Sequence, residues 1–140
     1  MRFEKCIEEG LIKRDPGAIE RVKGSLEIAE RFLRSAKKNL EIEEYEVTEI
    51  TAYNSAFHSA RALLFAKGYT ERSHYCLGVA LKSLYSGEIS DLVCTFDRIR
   101  LSRHEVQYGG TLVSRGDADF VIEFALDFLR ASRSELLDKN

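Results

Sequence analysis

Tryptophan is absent and proline occurs once among 140 residues, so little in this chain interrupts helix propagation. No apolar run reaches the roughly 18 residues that a membrane-spanning helix needs. The segment after Met1 carries Arg2, Glu4, Lys5, Glu8 and Glu9 where a secretory leader would be apolar, so neither export nor a membrane partner is expected. Cysteine is also sparse. Cys6, Cys76 and Cys94 are odd in number and widely spaced, which suits neither a disulfide framework nor a paired-thiolate zinc site. They are expected as reduced, mostly buried thiols in a cytoplasmic protein. Nor is there an excess of positive charge, because 21 Lys and Arg face 23 Asp and Glu for a formal net charge of −2. Broad affinity for nucleic acid is thereby excluded, and any RNA contact must come from a local patch.

What is present is a composition of 44% hydrophobic and 31% charged residues, ordinary for a chain with a packed core. The length suits one domain over residues 1–140. A lesser helix is expected over about 3–13. Asp15-Pro16 is a cap followed by a first-turn proline, opening a helix over about 17–40 with Val22, Leu26, Ala29, Leu33, Ala36 and Leu40 on one stripe. A second long helix, about 45–67, is rich in alanine and serine and stops at Gly68. Thr70 is a candidate cap for a third, about 71–85, and Ser90 or Asp91 for a fourth that Gly109-Gly110 must end. A last helix over about 117–138 carries Val121, Ala125, Phe128, Ser132 and Leu136. The fold class is all-α, an antiparallel up-and-down bundle of four to five helices.

On the fourth helix, Ile89, Leu92, Phe96, Ile99, Arg103 and Val106 share a stripe, so Arg103 occupies a position that the spacing assigns to the core. A guanidinium there needs a carboxylate, a subunit interface or an anionic ligand, unless it snorkels to water. Arg98, Arg100, His104, Gln107 and Tyr108 surround it in the chain's densest set of basic and hydrogen-bonding groups. His104 and Tyr108, four apart, share a helix face. Asn54, His58 and Arg61 form a second polar set on the second helix, placed to line the same cleft or to be a solvated helix side. His58, His74 and His104 lack metal-ligand spacing, and neither metal nor cofactor is expected.

From about Ala18 to Leu137 the chain resembles the HEPN domain. The likeness lies in Ala29-Glu30-Arg31-Phe32-Leu33-Arg34-Ser35-Ala36, in the run from Ala52-Tyr53-Asn54 to Leu63-Leu64, in Ser73-His74, and in Ala118, Ala125 and Phe128-Leu129. Most specific is Arg103-His104-Glu105-Val106-Gln107-Tyr108, similar to a motif of Arg, a polar residue, three variable residues and His. The resemblance implies metal-independent ribonucleases that dimerise with two motifs facing one cleft. It implies Arg103 as phosphate binder and His104 as the polar second residue, with Tyr108 where the catalytic His would stand. An unperturbed Tyr titrates near 10, so Tyr108 is a poor general base, leaving that role to His104 or to a longer-spaced pair of Arg98 and His104. The Arg-x4-Tyr ending is similar to that of prokaryotic members paired with small nucleotidyltransferases.

The expected protein is thus a cytoplasmic homodimer that docks a small nucleotidyltransferase antitoxin. It would bind nucleotide or RNA phosphate through Arg103 with help from Arg98, Arg100, Asn54, His58 and Arg61. The alternative is a metal-independent endoribonuclease, the toxin of a toxin–antitoxin pair. Arg103 and Tyr108 are expected near one another, within reach of Asn54 or His58.

Overall fold

The computed structural model describes residues 1–137. It is a helical bundle of one short helix, α1 (Phe3–Glu8), and five longer ones, α2 (Val22–Glu41), α3 (Tyr45–Ala66), α4 (His74–Leu84), α5 (Glu88–Tyr108) and α6 (Arg115–Leu137). A two-stranded antiparallel ribbon of β1 (Ile12–Arg14) and β2 (Tyr69–Glu71) pairs Ile12 with Glu71 and Arg14 with Tyr69. No helix among the described residues is long and apolar enough to cross a membrane.

α3 is the hub. Small residues at Ala52, Ser55, Ala56, Ser59, Ala60 and Ala62 are all buried, so its neighbours approach closely and it is covered on most sides rather than along one stripe. Ser55 Oγ donates to the Ala29 carbonyl at 2.7 Å, fastening α3 to α2, and the Tyr85 hydroxyl donates to the Leu63 carbonyl at 2.7 Å beyond the end of α4. α2 presents the expected stripe, with Leu26, Ala29, Leu33 and Ala36 buried. α6 covers the hub through Val121, Ala125, Phe128 and Ser132.

Several boundaries differ from the sequence expectation. The lesser helix stops at Glu8, because Ile12–Arg14 finds its strand partner in Tyr69–Glu71, a pairing so distant in the chain that local periodicity cannot signal it. Pro16–Arg21 is a 3-10 turn, and Asp15 accepts from Arg21 Nη2 at 2.8 Å instead of capping. Thr70 lies in β2, so the cap of α4 is Ser73, whose Oγ accepts from the Cys76 amide at 3.1 Å. α5 begins at Glu88 after Gly87, at φ 67°, ahead of Ser90 and Asp91. α6 begins at Arg115, earlier than 117, because Ser114 and Asp117 exchange side-chain-to-amide hydrogen bonds as a reciprocal cap; position 138, its expected end, lies outside the described residues.

Two stops fall as expected. Gly68 takes a left-handed φ of 80° after α3. At the end of α5, a Cβ on Gly109 would lie 2.8 Å from the Glu105 carbonyl oxygen, and Gly110 has φ 73°, so the helix ends where only glycine fits.

The cysteines correct the expectation of three reduced thiols. Cys6 and Cys76 form a disulfide joining α1 to α4, with Cα atoms 5.9 Å apart, and Cys94 is free but exposed. Spacing along the chain carries no signal of this bond, because its two ends are 70 residues apart and only the packing of α1 on α4 brings them together.

Candidate anion site

Arg103 faces inward from the last turns of α5, toward α3 and the start of α4. Its guanidinium carbon lies 4.9 Å from the centroid of the Tyr53 ring, a cation–π contact with a fully buried aromatic. Nη1 donates to Gln107 Oε1 at 2.8 Å, one turn on. Nε is buried and has no partner among the described residues, and no carboxylate there pairs with this guanidinium. The guanidinium is therefore half-buried, with Nε inside the protein and Nη1 reaching the surface at Gln107.

Tyr53 and His74 form the wall behind it. The Tyr53 hydroxyl and His74 Nδ1 share a hydrogen bond of 2.7 Å. The imidazole stacks on Phe57 at 4.2 Å and on Tyr53 at 5.9 Å. His74 is at the first position of α4 because Ser73 caps that helix, and its closeness in sequence to Cys76 places it near the disulfide.

The electrostatics are set by this packing. Burial pushes the Tyr53 hydroxyl up to about 12, against the pull of Arg103 and Arg100. Burial, reinforced by Arg103, Arg100 and Arg61, pushes His74 down to about 4, so the ring is neutral at pH 7. Two of the three arginines are neutralised locally. Arg61 Nε donates to Glu71 Oε1 at 3.0 Å, while its guanidinium lies over Phe57 and Phe65 at 5.5 and 5.0 Å. Arg100 Nε donates to Asp97 Oδ1 at 3.0 Å, and its guanidinium lies 5.8 Å from the Tyr75 ring centroid. Arg103 alone of the three has no such pair, which leaves a net positive charge beside an uncharged imidazole.

The other sequence-predicted residues distribute around it. Tyr108 is 66% exposed and rests against His104, ring centroids 4.9 Å apart, on the outer side of α5. Arg103 and Tyr108 thus turn to different neighbours, as five residues of regular helix require. Arg103 meets α3 at Tyr53, whereas His58 stacks on Phe32 of α2 at 5.5 Å with Nδ1 buried and unpartnered, and Asn54 is half-buried. Burial and Arg61 hold the His58 pKa below its ordinary value. Arg98 points along another flank and donates to Thr95 Oγ1 at 3.4 Å. Tyr53 and His74 stand within the runs that carry the family likeness, yet their coupling across 21 residues is invisible without the fold.

The fold is an all-α helical bundle in which α5 sets Arg103 against a buried tyrosine that is hydrogen-bonded to a half-buried histidine. The HEPN domain profile matches residues 22–135, and the chain belongs to the HEPN domain family. No curated relative shares detectable sequence similarity with it.

Proposed function

We propose that this chain is a phosphate-recognising, homodimeric HEPN protein in which Arg103 holds a phosphate of a nucleotide or of RNA and which docks a small nucleotidyltransferase. The observation that carries the phosphate reading is the guanidinium of Arg103, with a buried Nε that meets no acceptor and no carboxylate to neutralise it, beside His74, whose pKa burial lowers first and the arginines second. A buried donor left unpaired costs about 1–3 kcal/mol, more where charged, and an anionic oxygen removes that cost while neutralising the cluster. Membership of a family whose members commonly dimerise supports the two-fold arrangement. Arg61 and Arg100 supply the surrounding field, and their carboxylate partners set its strength.

The test is equilibrium binding of AMP and a short single-stranded RNA to wild type and Arg103→Ala. The variant should bind at least tenfold more weakly, since a hydrogen bond to a charged group contributes about 1.5–3 kcal/mol. Equal affinities would end the reading. Light scattering should give the dimer mass, and co-purification with a nucleotidyltransferase encoded beside the gene tests the partner.

A second reading, a metal-independent endoribonuclease, is favoured by His104, exposed and one residue beyond Arg103. It requires RNA cut in the presence of chelator to a 2′,3′-cyclic phosphate, and loss of cutting in His104→Ala with affinity retained.

A further inference from the structure

The chain has one methionine and three cysteines, and three of these four sulfurs meet at one point. Met1 Sδ lies 3.6 Å from Cys6 Sγ and 3.7 Å from Cys76 Sγ, the two sulfurs of the disulfide. Both cysteines are fully buried, whereas Met1 is 53% exposed and is the member of the trio that reaches solvent. A disulfide needs two sulfurs, and any apolar side chain would cover it as well as a thioether does. The third sulfur is idle in the oxidised protein.

The trio joins a helix that cannot stand alone to one that borders the anion site. α1 has six residues, too few to persist without its packing on α4, so its opening admits a reductant to the buried bond. Attack by a small dithiol passes two electrons and two protons to Cys6 and Cys76. Two thiols result, and the dithiol leaves as its own disulfide. The first turn of α4 carries both Cys76 and His74, so whatever holds Cys76 also holds the wall behind Arg103.

We propose that the reduced trio binds one soft monovalent cation, Cu(I), through the Cys6 and Cys76 thiolates and the Met1 thioether. Thiolate and thioether are the ligands that select Cu(I) over harder ions. With the usual metal–thiolate bond of about 2.3 Å, three sulfurs around one ion stand about 4 Å apart. The thioether is already near that distance from each cysteine sulfur, so only the two cysteine sulfurs must part. One Cu(I) enters, each thiol gives up its proton, and the complex carries a single negative charge. Zinc is a poor fit, because it takes a fourth ligand and no group of three or more His, Cys, Asp and Glu is gathered among the described residues. His74, two residues before Cys76, has its Nδ1 engaged by the Tyr53 hydroxyl. Bound Cu(I) closes the same joint as the disulfide, which gives α1 and α4 one lock for oxidising conditions and another for reducing ones.

The test uses the full chain, reduced with dithiothreitol, freed of it under argon and titrated with Cu(I) against the chromophoric chelator bicinchoninate. One equivalent should pass to the reduced protein and none to the oxidised one. Cys6→Ser and Cys76→Ser should each abolish the transfer and Cys94→Ser leave it unchanged. Met1→Leu, made behind a cleavable leader, should weaken binding at least tenfold. X-ray absorption of the wild-type complex depends on no variant folding, and should show a first shell of three sulfurs. A shell containing nitrogen or oxygen overturns the proposal, as does the absence of transfer to the reduced wild type. So do transfer to the oxidised chain, transfer that survives either cysteine substitution or is lost in Cys94→Ser, an unchanged affinity in Met1→Leu, or displacement of Cu(I) by an equal concentration of zinc.

Discussion

The two flanks of α5 are built from one helix and one hub, yet they hold charge in opposite ways. Toward α4, Arg103 lies on the buried Tyr53 ring, and a neutral His74 backs it. Toward α6, Glu49 is sunk to near-complete burial with one oxygen unpartnered. Glu49 and Tyr53 are successive turns of α3, so a single buried helix meets both flanks of α5. The lesson is that a deeply buried helix gains function from a few polar positions, since each meets so little water that its charge is felt by its neighbours. The flanks also differ in anchorage. The cationic one includes α4, tied to α1 through Cys6 and Cys76, whereas the acidic one depends on packing and on the Ser114–Asp117 cap.

That difference in anchorage gives the largest expected effect. Reducing the Cys6–Cys76 bond, or replacing both residues with serine, should destabilise the protein by about 4 kcal/mol, the loop-entropy value for a closed loop of this length. Urea unfolding with and without reductant measures it. AMP affinity should fall with it, because α4 carries His74 beside Arg103; unchanged affinity would show that the site does not depend on this anchorage.

A smaller effect isolates the wall of the anion site. Tyr53→Phe keeps the ring that Arg103 covers but deletes the hydroxyl bonded to His74, and should cost about 1–2 kcal/mol. An unchanged unfolding midpoint would show that the hydrogen bond contributes nothing net.

On the acidic flank the sign depends on pH. The folded pKa of Glu49 is raised, so its contribution favours folding while the carboxyl keeps its proton and is lost as pH climbs through that elevated value. Relative to wild type, Glu49→Gln should therefore gain stability as pH rises above the ordinary carboxylate range, with no such gain below it. Melting curves in acidic and in neutral buffer decide it, and a pH-independent difference would rule out the titration.

Least affected should be Tyr108→His. The side chain is exposed against His104, so stability should change by less than about 0.5 kcal/mol. That neutrality makes it a clean probe of chemistry: any RNA cutting that appears reflects the new imidazole and not a rearranged fold.

Much of this is legible in the chain. The spacing of Leu26, Ala29, Leu33 and Ala36 marks α2, Gly68 and Gly109-Gly110 mark two stops, and the same spacing exposes Arg103 as a charge on an apolar stripe. What is not legible depends on long-range partners. Thr70 and Ser73 are both competent caps, and only the pairing of β2 with β1 selects Ser73. Cys6 finds Cys76 because α1 packs on α4. Glu49 reads as one more surface acid at the start of a helix until α5 and α6 close over it.

The disulfide also makes the chain a closed ring with a tail. Residues 6–76, including all of α2 and α3, lie inside the ring, and α5 and α6 lie outside it. A protease cutting the exposed turn Ile42–Glu44, where Glu43 holds a left-handed φ of 61°, leaves both pieces covalently joined, and the nick shows on a gel only after reduction. A cut between Gly109 and Ser114 severs α6 outright, whatever the redox state. For one polypeptide, the same enzymatic nick is silent on one side of residue 76 and decisive on the other.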